Sequence, residues 1–211
     1  MEVIDFTHPL HPGMPVFPGE PGPAFRNIAE MGNQGYRVKW LEMGSHSGTH
    51  MDAPAHLISD GKTLDQLPVS HFSGKATILA IPPDTRQISI DFVRQFAGSI
   101  GKADYILLNT GWSMHWGEES YFRDFPVLSA EAASWLVSHS LKGVGMDTIS
   151  ADPVESSALT IHRIILNAGM VIIENLCFPE RSYPENLFFC CFPLKITEAD
   201  GSPVRAMAFT D

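Results

Sequence analysis

Cysteine is scarce in this chain of 211 residues, which has only Cys177, Cys190 and Cys191 and no Cys-x-x-Cys pair. Adjacent cysteines rarely bond to each other, so the sequence argues against a disulfide framework. It favours a reducing compartment, which we take to be the cytoplasm. Cys190 and Cys191 lie in the apolar run 187–192, and we predict that both are small buried side chains rather than reactive thiols.

Basic residues are few as well: 14 Lys and Arg stand against 24 Asp and Glu, which gives a formal net charge of −10 at pH 7 with histidine neutral. Such a chain repels phosphate backbones, so we expect no general nucleic-acid binding. No apolar run approaches the roughly 20 residues of a membrane-spanning helix. The first residues also lack the basic-then-apolar pattern of a secretion signal. We therefore expect a cytoplasmic enzyme that acts on a small molecule and contacts no membrane.

The sequence does have a regular alternation of short apolar strands and amphipathic helices, without repeats or linkers. Its composition, 44% hydrophobic and 18% charged, is that of a globular chain. These features predict an α/β fold with a mixed sheet, in a single domain over residues 1–211. Asp200-Gly201 predicts a hairpin turn before the last strand. We expect a first strand at 3–6, then a proline-rich loop at 8–23. Further strands are expected at 36–43, 74–81, 104–109, 143–146, 170–173, 187–196 and 204–209. Helices are expected at 89–96, 129–139 and 156–167.

Candidate metal ligands concentrate in segment 45–56, where three histidines and an aspartate fall within eleven residues. Residues two apart in an extended segment face the same way, so His50 and Asp52 should project together. Gly48 permits a turn that would bring the ring of His46 beside them. Imidazole and carboxylate groups suit Zn²⁺, Mn²⁺ or Fe²⁺. His56 lies four residues beyond Asp52, where it could sit near a metal without binding it.

A second pair of candidate ligands lies in the C-terminal half of the chain. Glu174 directly follows the apolar strand 170–173, and ligands commonly gather at the carboxyl ends of strands in α/β sheets. An ionised glutamate in that position needs a partner, and a metal ion is one. His162 lies among apolar neighbours in the predicted helix 156–167, a position that suits either a core histidine or a ligand.

Together these residues resemble the motif of the cyclase family of metal-dependent hydrolases, which includes bacterial kynurenine formamidase and isatin hydrolase. The motif reads His-x-Gly-Thr-His-x-Asp-x-Pro-x-His over 46–56, and His162 and Glu174 follow it. The resemblance extends over nearly the whole chain. It includes Pro-Val-Phe-Pro-Gly at 15–19, Gly-Met-Asp-Thr-Ile-Ser-Ala-Asp at 145–152, Ile-Glu-Asn-Leu at 173–176 and Ala-Asp-Gly-Ser-Pro-Val-Arg-Ala at 199–206.

The resemblance implies a swivelling β/β/α fold and a homodimer or homotetramer. It implies one or two divalent ions, and we expect Zn²⁺ or Mn²⁺. One ion would be bound by His46, His50 and Asp52, and a second by Asp52, His162 and Glu174, so that Asp52 bridges them. The expected reaction is hydrolysis of an amide-type C–N bond, in a formamide or a cyclic amide, by water that the metal activates.

The resemblance further implies that His56 is the catalytic acid/base, a role that suits an imidazole with a pKa near 6.5. The substrate is less constrained, because formamidases typically have Trp in place of Phe17 and a second histidine in place of Ile161. Phe17 could stack on a flat substrate or pack beneath the proline-rich loop. Trp112 could line the same pocket or belong to the core. We treat Phe17 and Trp112 as candidate substrate-binding residues.

Two alternatives use the same residues. His50, Asp52 and His162 would also suit the 2-His-1-carboxylate triad of a non-haem Fe(II) oxygenase, which predicts an all-β jelly roll instead of alternating helices and strands. A metal-binding protein without turnover would have no need of His56. A serine hydrolase is disfavoured because the chain has no Gly-x-Ser-x-Gly elbow.

The other polar residues of interest lie outside the metal motif. Asp147 and Asp152 could either orient the metal ligands from behind or cap loops. We expect ordinary surface or turn positions for the remaining histidines, which are His8, His11, His71, His115 and His139.

Overall fold

A computed structural model describes residues 2–180, 182–184 and 187–210. Its strands are β1 (Glu2–Asp5), β2 (Ala24–Ala29), β3 (Val38–Glu42), β4 (His50–Asp52), β5 (Ser73–Ala80), β6 (Gln87–Ile88), β7 (Tyr105–Asn109), β8 (Val127–Leu128), β9 (Gly143–Met146), β10 (Val171–Glu174), β11 (Leu187–Pro193) and β12 (Gly201–Thr210). Its helices are α1 (Met31–Gln34), α2 (Ile90–Arg94), α3 (Ala97–Ile100), α4 (Ala130–Leu136) and α5 (Thr160–Asn167). Short 3-10 turns lie at Pro54–His56, Leu64–Gln66, Val69–Phe72, Trp112–His115 and Glu119–Phe122.

Eight strands form one mixed sheet, in the order β1-β12-β11-β5-β7-β9-β10-β4. β5, β7, β9 and β10 are parallel to one another, and the other pairings are antiparallel. The long strand β12 closes the sheet, because its first residues pair with β4 while the rest pair with β11 and β1. The sheet is therefore barrel-like, and the predicted α/β class with a mixed sheet is confirmed.

The core has two layers, one on each face of this sheet. Tyr105 and Leu107 of β7 pack inside the closed sheet with apolar side chains of β10 and β11. Ile106 and Leu108 face outward, where helices α2, α4 and α5 cover them. Successive residues of a strand point to opposite faces, so a strand covered on both sides is apolar at every position. This explains the continuous apolar run that predicted β7.

The three predicted helices agree only in part with those of the structure. The predicted helix 129–139 is present as α4, and the side chain of Ser129 caps its start by accepting a hydrogen bond from the backbone N–H of Ala132. The predicted helix 89–96 is present in shortened form as α2, and the short helix α3 follows it. The prediction of a helix from residue 156 is wrong, because α5 begins at Thr160. There the carboxylate of Asp152 accepts the N–H groups of the first helical turn.

Two strand predictions also need correction. Strand 36–43 exists as β3, but it pairs with β2 in an exposed two-stranded ribbon outside the main sheet. The predicted turn at Asp200-Gly201 is wrong, because β11 ends at Pro193 and Gly201 is already the first residue of β12. Gly201 belongs to the sheet because it pairs with Asp52 of β4. This long-range pairing cannot be predicted from the local Asp-Gly sequence.

The remaining expectations concern cysteines and helix length. Cys190 and Cys191 are buried, as predicted, and all three cysteines are free. Across the described ranges, no helix has both the length and the apolar character needed to cross a membrane.

Candidate metal centre

Strands β4 and β10 place three of the candidate ligands on one face of the sheet. Met51 points into the core inside the sheet, so His50 and Asp52 project together on the opposite face of β4. In the antiparallel register of the two strands, Glu174 lies opposite His50 and Ile172 opposite Asp52. Paired residues share a face. As a result, Nε2 of His50 lies 3.3 Å from Oδ1 of Asp52 and 3.4 Å from Oε2 of Glu174.

Helix α5 adds His162 to this face. Its Nε2 lies 3.2 Å from Oε1 of Glu174 and 3.8 Å from Oδ2 of Asp52. Asp152 holds the ring in place by accepting a hydrogen bond from Nδ1 of His162 at 2.8 Å. The same carboxylate accepts the backbone N–H groups of Ile161 and His162, both at 3.0 Å. Of the two roles expected for Asp152, the structure therefore shows the orientation of a candidate ligand, and the same carboxylate also caps helix α5.

The hydrogen-bond partner of Nδ1 determines which nitrogen of the His50 and His162 rings carries the proton. Nδ1 of His50 lies 2.8 Å from the carbonyl oxygen of Gly48, and a carbonyl oxygen can only accept, so Nδ1 is the donor. Nδ1 of His162 donates to Asp152 in the same way. When the rings are neutral, each Nε2 therefore presents its lone pair to Asp52 and Glu174, which is the form that binds a metal.

His46 reaches the site from the turn before β4. The predicted turn is present, and Gly48 has φ 64° in the left-handed region that favours glycine. Nδ1 of His46 lies 2.7 Å from Oδ1 of Asp52, and Nε2 lies 3.0 Å from Oδ2 of Asp200. The ring rests directly on Gly201, where an added Cβ would come within 2.6 Å of it. Residue 201 must therefore lack a side chain for His46 to occupy this position.

The candidate ligands form two groups, and Asp52 belongs to both. Within each group, one ligand atom per residue lies within 4.8 Å of the others. Two ligand atoms about 2.1 Å from one tetrahedral ion lie about 3.4 Å apart, which is close to the 3.3 Å between His50 Nε2 and Asp52 Oδ1. The first group is His46, His50 and Asp52, and the second is Asp52, His162 and Glu174. The donor set and its spacing fit a divalent cation.

The charges in the site also fit a cation. Asp52 and Glu174 are 1% and 5% exposed, and their ion-pair partners among the described residues are histidines only. Burial opposes ionisation of Asp52, but hydrogen bonds from His46 and His50 outweigh it and hold the pKa of Asp52 well below its usual range. Burial likewise opposes protonation of His50, but Asp52 and Glu174 raise its pKa to about 10. Two buried carboxylates this close require positive charge, which a divalent cation supplies.

His56 lies beside the ligands, on the more open side of the site. It ends the 3-10 turn Pro54–His56, and its ring centroid is 4.2 Å from that of His46 and 6.3 Å from that of His162. Its side chain is 28% exposed, against 3% for His50. Nδ1 of His56 lies 3.3 Å from Oδ2 of Asp200. His46, His56 and Asp200 form a third group of three metal-ligating types.

Asp200 is the residue that sequence reasoning missed. The sequence predicts it only as part of a turn, whereas the structure places its carboxylate between His46 and His56. Burial opposes its ionisation, but the hydrogen bond and charge of His46 outweigh that effect and lower the pKa of Asp200 to about 2. The available signal was its place in segment 199–206, which resembles the family.

The two candidate substrate-binding residues lie together in a separate aromatic cluster. Phe17 and Trp112 are half-buried and pack against a cluster formed by the buried residues Tyr121, Phe125 and Ile149. The indole N–H of Trp112 donates to the carbonyl oxygen of Tyr121 at 3.0 Å. The hydroxyl of Tyr121 donates to Asn175, whose amide donates to the carbonyl oxygen of Gly48. The same carbonyl oxygen accepts the hydrogen bond from Nδ1 of His50. A chain of hydrogen bonds therefore connects the aromatic cluster to the candidate metal site.

Asp147 supports the loop that carries Trp112. Its buried carboxylate accepts hydrogen bonds from the backbone N–H and the hydroxyl of Thr110, at 3.0 and 2.6 Å, and from the N–H of Ser113 at 3.3 Å. Of the two roles expected for Asp147, the structure shows loop capping.

The expectation of a surface or turn position is wrong for His8. The residue is 6% exposed, and its ring stacks on Trp116 with centroids 3.9 Å apart and planes 7° apart. Its backbone N–H donates to the hydroxyl of Thr49, next to the ligand strand. Burial lowers the pKa of His8 to about 4. The contacts that bury the ring come from distant parts of the chain, so the local sequence could not predict them.

We expect His8→Phe to weaken the acid sensitivity of the fold. The pKa of His8 is about 4 in the folded protein and 6.5 in the unfolded chain. Protonation of His8 therefore favours the unfolded chain, so the free energy of unfolding is highest above pH 6.5 and falls as the pH drops towards 4. The difference corresponds to about 3 kcal/mol, and phenylalanine keeps the stack on Trp116 without titrating. Urea unfolding across this pH range measures the effect, with the exposed His11→Phe as control. An unchanged pH slope in His8→Phe would contradict the prediction.

Comparison with known proteins adds independent information. The family model described as "Putative cyclase" matches residues 4–153. The kynurenine formamidase of Bacillus cytotoxicus is 30% identical over 207 residues, which cover 98% of this chain and 96% of the formamidase. Isatin hydrolase A from Ralstonia solanacearum superposes with a TM-score of 0.87 at 25% identity, over 100% of this chain and 92% of that one. A protein described as a predicted metal-dependent hydrolase from Bacillus stearothermophilus has a TM-score of 0.82 at 26% identity, over 98% and 97% of the two chains.

Proposed function

This chain belongs to the cyclase family of metal-dependent hydrolases that cleave amide-type C–N bonds, and we propose that its substrate is a small aryl formamide or cyclic aryl amide. The family resemblance of motif 46–56 is confirmed by the family model and by the formamidase relative. The observation that carries the proposal is the convergence of two histidine–carboxylate groups on Asp52, with His56 beside them. We also propose that residues 1–211 act as one domain, because β1 and β12 pair in the same sheet.

We propose that the five ligands hold one or two ions of Zn²⁺ or Mn²⁺. Asp52 is suited to bridge two ions, because its Oδ1 faces His46 and His50 while its Oδ2 faces His162. Glu174 completes the second group, with one oxygen near each of the two Nε2 atoms. A divalent ion held there would lower the pKa of bound water to about 7 and would polarise a substrate carbonyl.

We propose that His56 moves protons and does not hold the metal. Hydrolysis of an amide requires a proton for the departing nitrogen, because an amide anion is a poor leaving group. His56 lies next to the ligands on the side that solvent reaches. Its larger exposure leaves room for a substrate beside the ring, which the buried rings of His50 and His162 do not have.

The aromatic cluster supports a flat substrate. Phe17 and Trp112 are only partly buried, and a hydrogen bond to the carbonyl oxygen of Tyr121 orients the indole of Trp112. Faces of aromatic rings stack on planar groups, and two of the three similar proteins are described as a kynurenine formamidase and an isatin hydrolase. The mixed α/β fold disfavours the oxygenase alternative, which predicts a jelly roll.

One experiment tests the proposed function. The purified protein is analysed for bound metal and then assayed without oxygen against N-formylkynurenine, isatin and a small lactam. We expect hydrolysis of at least one aryl substrate, and loss of turnover on chelation that is restored by Zn²⁺ or Mn²⁺. A metal-loaded protein that hydrolyses none of them would favour the alternative of metal binding without turnover.

We further propose a homodimer or homotetramer in the cytoplasm. The β2–β3 ribbon and the connection between its strands expose large apolar side chains, among them Tyr36 of the connection at 57%, and Trp40 at 49% and Leu41 at 51% of β3, and large exposed apolar surfaces often mark protein interfaces. The free cysteines are in keeping with a reducing compartment. Light scattering after size exclusion should give a mass of two or four chains, and Trp40→Glu with Leu41→Glu should give one. A monomeric wild type would contradict the proposal.

A further inference from the structure

One carboxylate, that of Asp200, lies between two histidines with different proposed roles. Its Oδ2 is 3.0 Å from Nε2 of His46, a proposed ligand, and 3.3 Å from Nδ1 of His56, the proposed acid/base. Its Oδ1 accepts a hydrogen bond from the hydroxyl of Ser45 at 3.1 Å. All three partners belong to segment 45–56, whereas Asp200 comes from the opposite end of the chain.

The backbone fixes Asp200 in this place. Its carbonyl oxygen accepts the N–H of Ala53 at 2.8 Å, and the next residue, Gly201, pairs with Asp52 in the closed sheet. The ring of His46 lies on Gly201. The carboxylate is therefore held above the two rings by the same strand pairing that closes the sheet, and not by flexible side-chain contacts alone.

Hydrogen-bond chemistry then determines the tautomers of both rings. An ionised carboxylate can only accept, so Nδ1 of His56 and Nε2 of His46 carry the protons. In neutral His56, this leaves Nε2 free to accept a proton. In neutral His46, it leaves Nδ1, the nitrogen 2.7 Å from Asp52, as the ligand atom. Histidine ligands commonly donate their other N–H to a carboxylate in this way.

We propose that Asp200 is a positioning residue that sets the tautomer of both His46 and His56 and so couples the metal ligand to the proton carrier. This inference rests on the proposed function for the meaning of those two roles. It assigns no metal to Asp200 itself, although the third group of His46, His56 and Asp200 would allow one. The test therefore separates a positioning residue from a ligand.

The direct readout is the tautomer of His56. In zinc-loaded protein with ¹⁵N-labelled histidine, two-dimensional NMR distinguishes a ring protonated at Nδ1 from one protonated at Nε2. We expect the Nδ1–H form of His56 in the wild type and a shift towards the Nε2–H form in Asp200→Ala. Asp200→Asn keeps the shape of the side chain and serves as the second variant should Asp200→Ala fail to fold. The exposed Glu198→Gln in the same loop is the matched control.

Metal binding and kinetics supply the second readout. We expect Asp200→Ala to lower kcat by about 10- to 100-fold and to weaken metal affinity by a similar factor, while metal content at saturation and KM stay close to those of the wild type. Loss of a whole metal equivalent at saturation would make Asp200 a ligand and overturn the proposal. An unchanged tautomer together with unchanged kcat would also overturn it. The NMR and metal titrations need no substrate, so a failure of the proposed hydrolase function remains distinguishable from a failure of this one.

Discussion

Replacing Asp52 with asparagine is expected to strip the protein of bound metal and to lower kcat/KM by about three orders of magnitude or more. Asp52 is the one residue that both ligand groups share, and its two oxygens face different histidines. Asparagine keeps the shape but is neutral, and only one of its two terminal atoms can bind a cation. The loss should exceed the roughly 10- to 100-fold effect typical of residues that only support a ligand.

Elemental analysis after dialysis, together with titration of the metal-free protein, measures this effect. Asp60→Asn changes an exposed aspartate close to the motif and controls for the loss of one negative charge. The two ligand groups make a further distinction. If the protein binds two ions, Glu174→Gln should remove only the ion of the second group and leave His46, His50 and Asp52 able to bind one. Full metal content in Asp52→Asn would contradict the shared-ligand geometry.

The sequence predicts the local part of this site well. Alternation along an extended segment places His50 and Asp52 on one face, and the structure places them so. Gly48 permits the turn that brings His46 beside them, and its φ of 64° lies in the left-handed region that favours glycine. These relations act over a few residues, where backbone geometry alone decides the outcome.

The long-range part of the site could not be predicted in the same way. Glu174 meets His50 only because β10 and β4 pair in one register, which the core and not the local sequence determines. Asp200 meets His46 across 154 residues of chain. Its neighbour Gly201 looks like a turn residue, although it belongs to the strand that closes the sheet. Burial of His8 against Trp116 is a further tertiary contact of this kind.

Replacing His56 with alanine is expected to leave metal content unchanged and to reduce turnover of an amide by about two orders of magnitude or more, the range typical of a lost acid/base group. The ring lies beside the ligand cluster, and its Nδ1 contacts Asp200. Metal analysis and kcat measured on the same preparation test both halves of the prediction. Loss of metal in His56→Ala would instead make His56 a ligand within the third group. His139→Ala serves as the control, because the ring of His139 packs on Trp135 of helix α4 and belongs to none of the ligand groups.

The leaving group of the substrate offers a sharper test of what His56 does. An amide nitrogen departs only once it has received a proton, whereas the nitrophenolate of p-nitrophenyl formate is stable without one. General acid catalysis therefore matters less as the leaving group becomes less basic. If His56 delivers the proton to nitrogen, His56→Ala should slow an aryl formamide by about 100-fold or more and the activated ester much less. An equal loss on both substrates would show that His56 acts on the attacking water or on the fold of the site, and not on the departing nitrogen.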